Sequence, residues 1–419
     1  MSFRWSKRGD ERERDRWFRA GLVAFGLFAC ASLRGCSREA PVGGPLEVVA
    51  KIGESGSSPG QFGYPRCLDH DDESLWVIDK LARVQRIDPK TGNPLETWRT
   101  PKFDNGKPTG VTLWTPRATS GTGKHAFDQP MMFVADTHEH RILVYELKST
   151  SQDKAAGLVD HPPKLLTTFG SYGTGEGQMI YPTDVCIVPS ADGGIEKLFV
   201  SEYGDNDRIS VWVPRVSGRA DASGGSPTPS PSQGEGDFEF VYQSSFGTFG
   251  DGVSAENVQF SRPQSMTLAT LKNSQRVLLV SDACNHRVGV FTLEGGLVRW
   301  IRDEAGPSTK PGGFMYPYGL CDLGDGTVMV AEYGNCRLQR IDIETGASLG
   351  IFGERGRGAA QLSTPWAITR MNDKVYVLDS GNSRILAIDA PKGRPEPLSA
   401  SPQIAHSGAA GSSGTGGGN

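Results

Sequence analysis

The chain has 419 residues, 37% of them hydrophobic and 9% aromatic, and carries a net charge of −4. That is enough apolar material for a large core, and no basic stripe runs over the body of the chain, so the electrostatic footprint of a nucleic-acid binder is absent. Glycine (54) and proline (27) are plentiful, as many short strands joined by tight turns require.

Residues 1–44 stand apart. Met1 to Arg19 holds seven Arg/Lys against four Asp/Glu, and Ala20 to Leu33 is then free of charge. That run is short for a membrane span and suits the apolar region of an export signal. Cys30 follows Leu27-Phe-Ala and Cys36 follows Leu33-Arg-Gly, two settings similar to a bacterial lipoprotein signal, where the cysteine is lipidated. An uncleaved short anchor and plain secretion are the alternatives. The leader predicts an exported protein anchored at the cell envelope, on its periplasmic or extracellular face, with Ser37 to Pro45 as a tether.

Residues 45–391 repeat. Six times an acid is followed four to six positions later by an arginine that opens an apolar strand: Asp79/Arg83, Asp136/Arg141, Glu202/Arg208, Asp282/Arg287, Glu332/Arg337 and Asp379/Arg384. A period of roughly 50 residues with four short strands per unit marks a propeller. Three glycine-rich lead-ins, Gly53 to Pro65, Gly170 to Pro182 and Gly353 to Pro365, share one spacing, and each proline sets the chain extended where a strand begins. The innermost strands then carry a small or short residue near the axis: Cys67, Gly110, Asp184, Ser265, Gly319 and Ala367. The expected fold is all-β: a six-bladed, monomeric β-propeller of four antiparallel strands per blade. The sixth copy runs out after its third strand at Asp389. Leu46–Gly53 is spare at the other end and is expected to supply the missing strand, which removes two open sheet edges. Residues 217–237 read as a disordered insertion in the third blade, 117–124 as a surface loop and 392–419 as a disordered Gly/Ser-rich tail.

The unit of glycine-rich lead-in, Pro, apolar strand and Asp-x-x-Asn-x-Arg resembles the NHL repeat over about residues 46–390. It is best preserved as Asp282-Ala-Cys-Asn-His-Arg287, Glu332-Tyr-Gly-Asn-Cys-Arg337 and Asp379-Ser-Gly-Asn-Ser-Arg384. The first copy is a residue short, the second has Glu139 in place of Asn, and the third is a residue long. The resemblance implies a six-bladed propeller that binds other molecules. The family also includes, more distantly, a peptide-amidating lyase.

Because they repeat, the acid–arginine pairs read as hairpin fasteners rather than a catalytic array. His70, His125, His138, His140, His161, His286 and His406 do not fall on the six strand beginnings around the axis, where the lyase holds its zinc; those positions are Arg66, Thr109, Thr183, Gln264, Tyr318 and Trp366. No cofactor, metal site or catalytic residue is expected. Cys284 and Cys336 sit in equivalent loops, as a disulfide or as two free thiols. The residues flanking the prolines, Tyr64, Arg66, Tyr181, Arg262, Gln264, Tyr316, Tyr318 and Trp366, would ring one channel mouth. Aromatics and arginines are enriched at binding hot spots. They either form a ligand site or plug the channel. The preferred reading is a non-enzymatic module that binds a protein, peptide or glycan there; the alternative is a metal-dependent lyase or hydrolase resembling the peptide-amidating lyase or lactonase propellers.

Overall fold

The computed structural model describes residues 46–102, 107–116, 127, 129–147, 162–216, 238–393, 395 and 397–398. The leader with Cys30 and Cys36, the 117–124 loop, the 217–237 insertion, all of the tail beyond residue 398, and His125, His161 and His406 lie outside the described residues.

Six four-stranded antiparallel sheets follow one another along the chain. Blade 1 is Pro65–His70, Leu75–Asp79, Arg83–Ile87 and Pro94–Arg99; blade 2 is Gly110–Trp114, Met131–Asp136, Arg141–Glu146 and Leu165–Phe169. Blade 3 comprises Pro182–Pro189, Ile195–Glu202, Arg208–Val216 and Phe238–Phe246; blade 4, Pro263–Thr270, Arg276–Asp282, Arg287–Thr292 and Leu297–Ile301. Blade 5 has Pro317–Asp322, Thr327–Glu332, Arg337–Asp342 and Ser348–Phe352, and blade 6 has Ile368–Met371, Lys374–Asp379 and Arg384–Asp389. Each blade's first strand touches the first strand of the next, and blade 6 returns to blade 1.

The second strands are apolar throughout because both of their faces are covered. Leu75–Asp79 and Met131–Asp136, for example, are buried at every residue. Apolar side chains fill each of the six interfaces between neighbouring blades. Six strands meeting at one axis leave little room there. A Cβ added to Gly110 would stand 2.4 Å from the Thr183 carbonyl oxygen of blade 3.

The ring closes as the strand count requires. Val48–Ile52 pairs antiparallel with Arg384–Asp389, Ile52 opposite Ile385 and Ala50 opposite Ala387, and is the fourth strand of blade 6. Gly53 then turns the chain at φ 77°, a left-handed value that suits glycine, and Phe62 packs where a Cβ would be. Deleting residues 46–53 should therefore uncover the edge of Arg384–Asp389 and expose the seats of Leu46 and Ile52. The loss of those two apolar side chains alone is about 3–6 kcal/mol. Calorimetry should show a sharply lower Tm; melting like the intact chain would refute closure by this strand.

Candidate functional site

Each repeat pair is a buried ion pair. The six arginine–carboxylate distances lie between 2.5 and 3.1 Å, and all six acids are buried. The reach of the pair extends beyond its own hairpin. In five blades the acid also accepts a backbone N–H from the lead-in loop: Gly63 to Asp79 (3.1 Å), Ile180 to Glu202 (3.1 Å), Ser261 to Asp282 (2.7 Å), Met315 to Glu332 (3.1 Å) and Ser363 to Asp379 (2.7 Å). The arginine donates to carbonyls of the same loop, as Arg287 does to Asp251 and Gln259 and Arg384 to Gly358 and Gln361. Burial pushes Asp282 up to about 6 even though Arg287 and Asn285 pull the other way.

The residue next to that anchored N–H precedes the proline, and in all five blades it is left-handed: Tyr64 (φ 54°), Tyr181 (43°), Arg262 (60°), Tyr316 (50°) and Thr364 (46°). A residue before proline ordinarily stays extended, and positive φ costs a non-glycine residue on the order of 1–3 kcal/mol. The neighbouring blade helps to hold it. The N–H of Tyr181 donates to His140 Nδ1 at 3.1 Å, that of Tyr316 to His286 Nδ1 at 3.0 Å, that of Arg262 to Asp207 and that of Thr364 to Cys336 Sγ.

These backbones place the eight expected mouth residues in one region. Tyr318 and Trp366 are buried and meet edge to face at 5.0 Å; Tyr64 stands edge-on to Trp366 at 6.1 Å, and the Arg66 guanidinium lies 5.3 Å from its ring. Arg262 spans Tyr203 (5.1 Å) and Tyr318 (5.4 Å), and its Nε donates to Gln264 Oε1 at 3.0 Å. Tyr181 stacks on Tyr203, and Tyr316 joins the same apolar cluster beside His286. Tyr203 and Tyr333 are members that the sequence reading did not single out. Tyr333 stacks on Tyr318 at 4.6 Å, and its hydroxyl meets that of Tyr64 at 3.4 Å. Both follow a repeat acid directly, Glu202 and Glu332, and that position is the signal that could have found them.

A cavity of about 490 Å³ runs along the inner strands. Arg66, Asp184, Gln264 and Trp366 line it toward the strand beginnings, and Asp69, His70, Asp322 and Arg370 line it further along. Asp184 accepts the N–H groups of Met266 (2.8 Å) and Val185 (2.9 Å), and burial raises its carboxyl to about 7. Asp69 likewise accepts from Leu113 at 2.7 Å. Among the described residues no three of His, Cys, Asp and Glu converge as a metal-holding group. His140 and His286 serve instead as backbone acceptors. Cys284 is exposed and Cys336 buried, and both are free thiols.

No protein-family model matches the chain, and no curated protein matches it. Among solved structures it is similar to a protein of unknown function from Bacteroides thetaiotaomicron, at 15% identity and TM-score 0.49, over 84% of this chain and 75% of that one. It is also similar to a streptogramin B lyase, at 13% identity and TM-score 0.43, over 81% and 97%. A third is Raptor from Chaetomium thermophilum, at 11% identity and TM-score 0.49; there the match spans 84% of this chain but only 30% of the other. The chain itself folds as a six-bladed β-propeller, the class that its sheets define.

The histidine acceptors have a pH consequence. Burial pulls His286 below the ordinary histidine value, and its Nδ1 must stay unprotonated to accept the Tyr316 N–H. The unfolded chain therefore takes up the proton first, so the stability that this bond supplies is intact above about pH 6.5 and is lost as pH falls through the folded value. Asp282, raised to about 6, acts with the opposite sign, so the effect must be read against a variant. In urea titrations the stability gap between wild type and His286→Gln should narrow from about pH 7.5 to about pH 5. A gap that stays constant would remove His286 from this role.

Proposed function

We propose that the chain is an NHL-type binding propeller that presents the Tyr/Arg mouth to a protein, peptide or glycan partner outside the cytoplasm. The observation that carries this reading is the repeated left-handed backbone before the proline. Strain kept at equivalent positions, each braced by a buried acid and most of them also by a neighbouring blade, aims large side chains at one surface. A hydrophobic collapse alone would have settled for an extended backbone there.

The test is binding of the full chain to arrayed peptides and glycans, with Arg66→Ala/Tyr318→Ala as the comparison. Wild type should capture a defined ligand, and the double variant should lose at least about tenfold in affinity, the equivalent of 1.4 kcal/mol. Tyr318 is buried, so the variant's melting curve must be checked alongside. Unchanged capture by a folded variant would move the binding surface elsewhere. Stoichiometric zinc or calcium that is lost on replacing His138, His140 or His286 would favour a metal-dependent lyase or hydrolase instead.

The same proposal places the protein at the cell envelope, held by its N-terminal leader, on the strength of the charged, apolar and cysteine segments at 1–36. Fractionation of cells expressing the wild type, Cys30→Ala, Cys36→Ala and the double variant should find wild type with membranes and at least one variant released. Wild type in the cytosol would overturn the placement.

A further inference from the structure

We propose that the mouth is an oxyanion site in which Arg66 and Arg262, framed by Tyr203, Tyr318 and Trp366, hold a carboxylate, sulfate or phosphate group of the partner. The inference rests on reading this mouth as the partner surface.

The contrast with the rest of the molecule motivates it. The six repeat arginines each sit on a buried carboxylate. Among the described residues neither Arg66 nor Arg262 makes an ion pair. Arg66 lies against Trp366, and its Nε is buried with no acceptor. Trp366 Nε1 is likewise buried with no acceptor, in a side chain only 7% exposed. Arg262 has the neutral Gln264 as its side-chain partner, and Asp207 of blade 3 meets its backbone N–H rather than its guanidinium.

Arg66 and Arg262 are half-buried, and two partly desolvated guanidinium groups in one site without a counter-charge are unfavourable and repel each other. Ring contacts return about 0.5–2 kcal/mol each. An anion between them relieves both terms and gives the free Arg66 and Trp366 N–H groups an acceptor. Electrostatics agree with the geometry at Arg66. Burial pulls Arg66 below the ordinary arginine value, and the charge on Arg262 pushes the same way against Cys67, Tyr64 and Tyr203. Arg262 is pulled down by burial too, but the Tyr318 and Tyr203 hydroxyls outweigh this and raise it.

The aromatic arrangement argues for an anionic group over a neutral ring or sugar face. Tyr318 stacks on Tyr333 and Tyr181 on Tyr203, while Tyr64, Tyr318 and Tyr333 all press on Trp366. The faces are spent on one another, and the unsatisfied N–H donors are what remains to offer.

The full chain should be melted in chloride and then with increasing acetate, sulfate or phosphate at constant ionic strength. Wild type should show a saturable rise in Tm with at least one oxyanion. Acetate alone would indicate a carboxylate partner; sulfate or phosphate would indicate a sulfated or phosphorylated one. In Arg66→Gln and Arg262→Gln the apparent affinity should fall by at least about tenfold. Arg276→Gln, at the start of the second strand of blade 4, where the arginine pairs with Glu196 instead, should behave as wild type. Should a variant fail to fold, phenylglyoxal labelling of wild type, read by mass spectrometry, supplies the same answer: the effective anion should protect Arg66 and Arg262 but not Arg276. Three anions that act no better than chloride, or a rise that persists in both variants, would overturn the inference. A mouth that captures its partner and still ignores all three anions would leave the binding reading standing and remove only this one.

Discussion

The buried acid–arginine pair is the constraint from which the mouth follows. A blade is a twisted four-stranded sheet, and nothing in a sheet alone fixes the loop that crosses from its neighbour's outer strand to its own inner strand. The pair does so with both partners at once. Asp282 takes the Ser261 N–H while Arg287 donates to Gln259 and Asp251, so the loop is held by donor and acceptor together. Removing one partner of such a pair costs about 3–5 kcal/mol, because the other charge stays buried. The anchored residue is the one before Arg262, and that left-handed backbone aims the guanidinium at Tyr203 and Tyr318. A stabilising device repeated around the ring thereby sets the geometry of a surface that does not repeat.

Blade 2 carries the same pair, Asp136 and Arg141 meeting at 2.9 Å, and burial pushes the carboxyl up to about 6 as it does for Asp282. Part of its lead-in, residues 103–106, lies outside the described residues. Thr109 begins this blade, and its hydroxyl bonds Thr137 and the Thr183 carbonyl instead of projecting a large side chain. Such hydroxyl stitches recur where a blade meets the inner strand of the next: Thr183 of one inner strand to Pro263 O (2.7 Å), and Ser281 of the second strand of blade 4 to Tyr318 O (2.8 Å). The axis is thus sewn by short polar side chains and the mouth is lopsided, built mainly from blades 1 and 3 to 6.

The repeat and the closure were legible because each rests on local order along the chain. Apolar second strands betray two covered faces, the acid and arginine lie within one hairpin, and Leu46–Gly53 could be found by counting strands. The left-handed Tyr64 and Tyr316 were not legible, since a residue before proline reads as extended and only the finished loop overrides that preference. The parts of His140 and His286 were hidden for a different reason. A histidine in a turn suggests a ligand, but here the acceptor role depends on a backbone N–H from the next blade. Tyr203 and Tyr333 escaped although each directly follows a repeat acid, because their stacking on Tyr181 and Tyr318 appears only once the blades are assembled.

At the strand beginnings two arginines stand among aromatic rings; along the inner strands the cavity is lined by Asp69, Asp184 and Asp322 together with His70 and Arg370. Asp184 is raised to about 7 and so carries only part of a charge at neutral pH, and burial raises Asp322 as well. Asp69 and Asp184 are also already committed to backbone N–H groups of the next blade. An anionic group that reached Arg66 would meet two arginines at the mouth, while two of the acids that line the cavity are already held by backbone N–H groups and leave those arginines without a carboxylate of their own.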